Sequence, residues 1–356
     1  MNTPNPLPDE GQSEEMAHPC VLCFNANDPS GAGGLTADIL AMSSVGAHVL
    51  AISTGSYVRD TAEVFDHITM DDEAVDEQAR TILEDIAVQV IKIGFCGSPD
   101  ILSTVAEICA DYADVPVVAY MPSLSWWQDE PIDSYQDAFL ELVLPQTTVL
   151  VGNHSTLWRW LLPEWGSDRS PSARDLAKAA ADKGVPYTFV TGMPQTGGQH
   201  MENALATPFY VFVSETIERF DAVFTGAGDT LSAALAGLLA MGDDLEASAG
   251  EALGYLDGSL DAGFRPGMGH AVADRDRRVE CFLAHRRDCD AGRQCDRENP
   301  NGLNIRRRRE RLDRRTCHRN HRRSGMRELS AQANEGGDAS TVRLDHHDRI
   351  DADPRL

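Results

Sequence analysis

Nothing in the 356-residue chain reaches the run of about 18 apolar residues that a membrane helix needs, so no membrane partner is expected. The opening stretch, MNTPNPLPDEGQSEEMAH, has neither the basic nor the apolar region of a secretory signal. Residues 1–18 read as a disordered lead, and a cytoplasmic protein is expected. Two phosphate-binding signatures are also missing: no Gly-Lys-Ser/Thr closes a Walker loop, and the glycine spacing after the first apolar run does not fit a dinucleotide fingerprint. Cysteine in the body is confined to Cys20, Cys23, Cys96 and Cys109, and no second pair follows Cys20-x-x-Cys23 at zinc-ribbon spacing. Because CVLCF reads as a buried strand, structural thiols are expected rather than a redox pair or a metal half-site.

Basic charge is scarce where the chain is apolar. Residues 1–270 hold 10 Lys and Arg against 40 Asp and Glu, a net of −30; residues 271–356 hold 21 Arg and 16 acids, a net of +5. Together these give the whole-chain net of −25. So acidic a body repels nucleic acid, and no nucleic-acid partner is expected for it; a salt-adapted surface is another reading of the same excess. After about residue 272 the text turns to RRRRERLDRR, RDCDAGRQCD and HRNHRRSG, with few apolar residues at any period. Such a segment does not bury enough surface to fold alone. It reads as a disordered basic tail, as a zinc knuckle built from Cys281, His285, Cys289 and Cys295, or as out-of-frame coding sequence. The expected organisation is a lead at 1–18, one domain at 19–272 and an Arg-rich tail at 273–356, disordered or out of frame.

What is present is alternation. Short apolar runs at 20–24, 48–53, 88–95, 115–120, 147–151, 186–190 and 209–213 are separated, for the most part, by stretches of helical period at 35–46, 76–86, 100–113, 137–144 and 173–184, and helices at 229–241 and about 245–262 close the unit. Continuous apolar strands between helices predict an α/β fold with a mostly parallel sheet covered on both faces. Ligands of such folds sit at the carboxyl ends of the strands.

Two loops stand out on that frame. FTGAGDTLSAALAGLL, 224–239, puts three small residues before Asp229 and an apolar helix after it. Asp229 reads either as a helix cap or as a proton acceptor beside an anion cradle of backbone N–H groups; the stretch alone does not choose. FNANDPSGAGGLTADIL, 24–40, is a tight glycine-rich turn into a helix that carries Asp38.

DPSGAGGLTAD, VLPQTTVLVGN and GAGDTLSAALAGLL, with AISTGSYVRDT, IKIGFCG and RPGMGHAVADR in the same order, resemble the hydroxymethylpyrimidine/phosphomethylpyrimidine kinases of thiamine biosynthesis, members of the ribokinase-like superfamily. The resemblance spans about 19–275. It implies a ribokinase-like three-layer αβα sandwich, ATP and Mg2+ as cofactors, a small pyrimidine or pyridoxine-like substrate and a homodimer. It also implies an anion hole at Gly226, Ala227 and Gly228, with Asp229 as catalytic base where many pyrimidine kinases carry Cys. Ala26, Asp38, Arg59 and Phe95 would meet the substrate, and Asn153 and Thr191 the nucleotide. Arg59 departs from the family's Gln. Tyr120 and Thr156 replace two carboxylates near magnesium, which leaves the metal site open. A pyridoxal kinase and a non-catalytic ligand-binding paralogue are the alternatives.

Overall fold

The computed structural model describes residues 18–276, apart from 128, 196, 219 and 221. Most of the predicted lead and tail, with the zinc-knuckle candidates, lies outside the described residues. The chain runs β1 (Cys20–Asn27), α1 (Gly34–Val45), β2 (His48–Arg59), β3 (Val64–Thr69), α2 (Asp72–Leu83), β4 (Val90–Ile93), α3 (Pro99–Asp111), β5 (Val117–Met121) and α4 (Asp129–Ala138). It continues through β6 (Val149–Asn153), α5 (His154–Leu161), α6 (Ala173–Ala181), β7 (Tyr187–Pro194), β8 (His200–Ala206), β9 (Val211–Glu218), β10 (Phe224–Thr225), α7 (Ala227–Ala240), α8 (Leu245–Asp261) and β11 (Ala271–Val272).

Nine strands form one sheet in the order β3-β2-β1-β4-β5-β6-β7-β8-β9. Its centre, from β2 to β7, is parallel. The edges are antiparallel, with β3 on β2 and β8 and β9 beyond β7. Apolar residues of alternate parity along each strand face opposite layers. One core holds Leu22, Ile91 and Ile93 with residues of α2, α3, α5 and α6; the other holds Val21, Val90 and Val118 with residues of α1, α7 and α8. The three-layer α/β sandwich of the sequence reading is what forms. Cys20 belongs to the first core and Cys23 to the second. Strand geometry turns residues three apart to opposite faces, so the two thiols cannot meet, and burial pushes the Cys23 thiol up.

The antiparallel edge pieces β3 and β8 and the helix α5 were not expected. HMENALA in β8 is poor in β-branched residues, and its strand state comes from pairing on both sides rather than from propensity. The eight-residue α5 does have a local signal: Asn153 caps it, its Oδ1 accepting the Ser155 N–H at 3.0 Å.

Helix α7 is buried almost all round because its side chains are small. A Cβ at Gly237 would lie 2.6 Å from the Val45 Cγ2 of α1, so glycine permits the close approach of the two helices. Polar ties then fix what the small residues leave loose. Lys92 of β4 and Asp38 of α1 are both fully buried, with Lys92 Nζ 2.8 and 2.7 Å from the two carboxylate oxygens. Burial alone would lower the Lys92 pKa, but the Asp38 and Asp229 carboxylates more than offset this and hold it above its ordinary value, so it stays charged. Arg275, 3% exposed, is stapled by Nη2 to the Ala32 carbonyl (2.5 Å), by Nη1 to the Gly31 carbonyl (3.2 Å) and by Nε to the Thr230 hydroxyl (2.8 Å). The packed body therefore runs past residue 272, where the sequence placed its boundary.

Two outcomes follow. A chain cut after residue 272 should melt about 5–10 °C lower than one cut after residue 276, since losing a buried charged group that satisfies three acceptors costs on the order of 3 kcal/mol; thermal denaturation of the two truncations checks it. Lys92→Met leaves Asp38 buried without its cation, and burial already pushes that carboxyl upward. A folded-state pKa raised above the unfolded value gives stability that is lost as pH rises. The melting gap between wild type and Lys92→Met should therefore be wider at pH 8 than at pH 5.

Candidate active site

The strand order places β1 between β2 and β4, so the chain leaves β1 in both directions and a crevice opens at the carboxyl ends of these strands. A cleft of about 710 Å³ lies there, bounded by Gly33, Arg59, Phe95, Tyr120, Gly226 and Asp229 among others. Gly226 adopts a left-handed conformation (φ 77°) and starts α7 without any side-chain cap. A Cβ on it would collide with the Ala32 carbonyl, so only glycine lets the loop turn here and leaves the first N–H groups of α7 to meet a ligand. Ala227 and Gly228 continue that bare turn, and the Tyr120 phenol packs directly on Gly228.

Asp229 does not cap its own helix. Its Oδ2 accepts the N–H of Gly34 at the start of α1 (3.1 Å), and its Oδ1 accepts from Asn25 Nδ2 (3.1 Å). Lys92 Nζ stands 3.6 Å from the same Oδ1, and the Asp229 side chain keeps 15% exposure toward the cleft. Two helix N-termini, a fixed amide and a buried ammonium thus converge on one accessible carboxylate. Asn25 is locked. Its Nδ2 also donates to Asp38 (2.7 Å), and its Oδ1 accepts the N–H groups of Ala26 (2.9 Å) and Phe95 (3.0 Å).

Asp38, expected at the substrate, does not line the cleft. It lies beneath the floor, fully buried, held by Lys92, Asn25 and the Cys23 thiol (3.3 Å), because a lysine inside the sheet demands a carboxylate beside it. Ala26 is likewise covered, 2% exposed, and its N–H already donates to Phe95 O at 3.1 Å. Phe95 does border the cleft, with one face stacked on Tyr57 (centroids 5.3 Å, 18°) and Trp126 edge-on at 5.7 Å. Arg59 also borders it, paired with Asp28 at 3.3 Å. Asn153, the last residue of β6, and Thr191, within β7, are register partners, outside the lining of this cleft.

Thr156 is buried on α5 and does not line this cleft, while Tyr120 does. Burial first, then the Asp229 and Asp38 carboxylates, push the Tyr120 phenol up, so it is a neutral hydroxyl. Among the described residues no group of three or more His, Cys, Asp or Glu side chains is placed to hold a metal. The sequence reading assigned no role to Asn25, Asp28, Lys92 or Arg275. Lys92 did leave a signal, a lone lysine inside the apolar run VQVIKIGF. Arg275 left only its place as the last residue of RPGMGHAVADR, at the edge of the Arg-rich text.

Known proteins resemble this chain in sequence and in fold. The family model for phosphomethylpyrimidine kinase matches residues 28–274. The hydroxymethylpyrimidine/phosphomethylpyrimidine kinase of Streptomyces coelicolor is 28% identical over 265 residues, 72% of this chain and 94% of that protein, and the Escherichia coli enzyme of the same name is 26% identical, covering 71% and 94%. Among solved structures, a Staphylococcus aureus pyridoxal kinase in complex with AMP-PCP and pyridoxal shares the fold with a TM-score of 0.64 at 18% identity, covering 73% of this chain and 94% of that one. A Clostridium difficile phosphomethylpyrimidine kinase does so with a TM-score of 0.55 at 18% identity, covering 68% and 99%. The family match covers more than half of the chain and spans both loops that build the cleft; this protein belongs to the phosphomethylpyrimidine kinase family.

Proposed function

We propose that this protein is an ATP-dependent phosphotransferase acting on the hydroxymethyl or phosphomethyl group of a pyrimidine, as its relatives are named to do. The observation that carries the reading is Asp229, an accessible carboxylate fixed between the N-termini of α1 and α7 at the floor of an aromatic-walled cleft. Bound ATP supplies the electrophilic γ-phosphoryl group. The residues present fit it: Gly226, Ala227 and Gly228 offer an uncapped helix start to phosphoryl oxygens, and Asn153, which ends β6, pairs in register with Thr191 of β7, the two residues that the family resemblance gives to the nucleotide.

Asp229 takes the proton of the acceptor hydroxyl. Each of its oxygens carries one hydrogen bond from the protein, which leaves a lone pair for that proton. Asn25 and Gly34 hold the carboxylate in place, and the Lys92 ammonium stands 3.6 Å behind it. The first turn of α7 then stabilises charge on the transferred group. Since no carboxylate trio is available among the described residues, Mg2+ is held in this reading by the nucleotide's own phosphates. Exposed Phe65 and Ile68 on the edge strand β3 support association into a homodimer. Pyridoxal kinase is the second reading, favoured by the carboxylate base itself.

Asp229→Asn preserves size and one of the two accepted hydrogen bonds, since an amide nitrogen donates and does not accept, and it removes the base. Turnover should fall at least about a hundredfold with ATP affinity held, while the lost hydrogen bond costs only about 1–3 kcal/mol of stability, so the variant stays folded at the assay temperature. Gly226→Ala should do the opposite, weakening ATP binding by forcing the loop open. Coupled-assay turnover and nucleotide titration on both variants test the reading; an Asp229→Asn enzyme that turns over normally would reduce Asp229 to a structural brace for α1.

A further inference from the structure

Away from Asp229, the cleft wall carries a cation whose hydrogen bonds are only partly used. Arg59 ends β2, and its side chain is 8% exposed. Its Nε donates to the Asp60 carbonyl at 3.0 Å and its Nη1 to Asp28 Oδ2 at 3.3 Å. A guanidinium has five N–H donors and no acceptor, so three donors remain without a protein partner among the described residues. Asp28 has little left to give them. Its Oδ1 accepts the Ser30 N–H (2.8 Å) and hydroxyl (2.6 Å), and its Oδ2 accepts the Gly33 N–H (2.8 Å). Donors in so enclosed a place are unfavourable unless an acceptor arrives with the ligand.

The neighbouring surface limits what that ligand is. Tyr57 and Trp126 border the same cleft and meet edge to face at 5.9 Å, with Phe95 stacked behind Tyr57. Flat aromatic walls suit a planar ring, and Arg59 lines the same cleft as Tyr57 and Trp126, where a substituent of such a ring would meet it. An amine presented there sets donor against donor. A carbonyl or anionic oxygen takes up the unused N–H groups, and a charge-assisted bond of this kind is stronger than a neutral one.

We propose that Arg59 is the specificity-determining residue of the acceptor pocket and selects a planar substrate that presents an oxygen acceptor to it, rather than one that presents only an amine. This rests on the kinase reading for the identity of the pocket. The oxygen has two possible sources, a ring oxo group or a phosphate ester on the exocyclic methylene, and both offer the same chemistry to a guanidinium.

The test is calorimetric binding to the full chain, without nucleotide, of three probes: 4-amino-5-hydroxymethyl-2-methylpyrimidine, its 4-oxo counterpart, and the phosphate ester of the amino compound. Wild type should bind at least one oxygen-bearing probe about tenfold or more tighter than the amino alcohol. Preference for the 4-oxo compound identifies the ring edge as the source, and preference for the ester identifies the phosphate. Arg59→Gln, whose amide both donates and accepts, should bring the three affinities within about threefold. If Arg59→Gln fails to fold, Arg59→Lys is read instead and should keep the direction of the preference at reduced size. Equal affinity of wild type for all three probes overturns the proposal, as does a preference unchanged in a folded Arg59→Gln. Phosphoryl transfer is measured separately. Predicted binding without transfer defeats the kinase reading and leaves Arg59 as assigned; transfer with equal affinities defeats the assignment alone.

Discussion

A lysine and an aspartate, both wholly out of water, hold the centre of this molecule. Lys92 and Asp38 join β4 to α1, and each has a second partner: Asn25 reaches from Asp38 to Asp229, and Lys92 stands beside Asp229 directly. Replacing a buried ion pair by apolar groups of the same shape is often neutral or stabilising. Apolar groups would pack the two elements together equally well, but they would leave Asp229 without a cation behind it. The pair is better understood as the electrostatic floor of the cleft than as a contribution to stability.

The same logic explains why Asp38 lies below the site rather than in it. A sheet interior tolerates a charged amine only when carboxylates surround it, and Asp38 is the one that comes within 2.7 Å. Asp229, half in and half out, completes the arrangement without being consumed by it. Its hydrogen bond to α1 turns what the sequence presents as a cap on one helix into a link between two. The small residues of α7 make that link possible, because bulkier ones would hold the helices apart.

Much of the layout was legible in the chain. Apolar runs at 20–24, 115–120 and 147–151 fall within or overlap β1, β5 and β6, and the helix expected at 229–241 begins two residues earlier, at Ala227. These elements announce themselves because burial on both faces demands unbroken apolar sequence. The antiparallel strands β3 and β8 do not: Asp66 and His67 interrupt the apolar residues of VFDHIT, and HMENALA is a strand because it pairs on both sides. In the site, the glycine-rich loop and Asp229 were readable because bare backbone before a carboxylate is rare. Asn25 was not: its position depends on Gly94, whose missing Cβ leaves room for its amide, a relation between residues far apart in the chain. Arg59 was legible as a departure from the resembled family, but its pairing with Asp28 and its unused donors needed the fold.

Arg275 sets an order of events. It binds the carbonyls of Gly31 and Ala32 across 244 and 243 positions of sequence, and it follows every strand of the main sheet. As the chain leaves the ribosome, the glycine-rich turn is made early and then waits for almost the entire domain before its last fastener exists. Contacts of such long range form late because their loop-closure entropy is largest. The loops of the cleft are therefore the last part of the molecule to be fastened. A chain interrupted between Asp229 and Arg275 would hold every strand of the main sheet and the Asp229–Gly34 link, yet lack the guanidinium that ties Gly31 and Ala32 to Thr230.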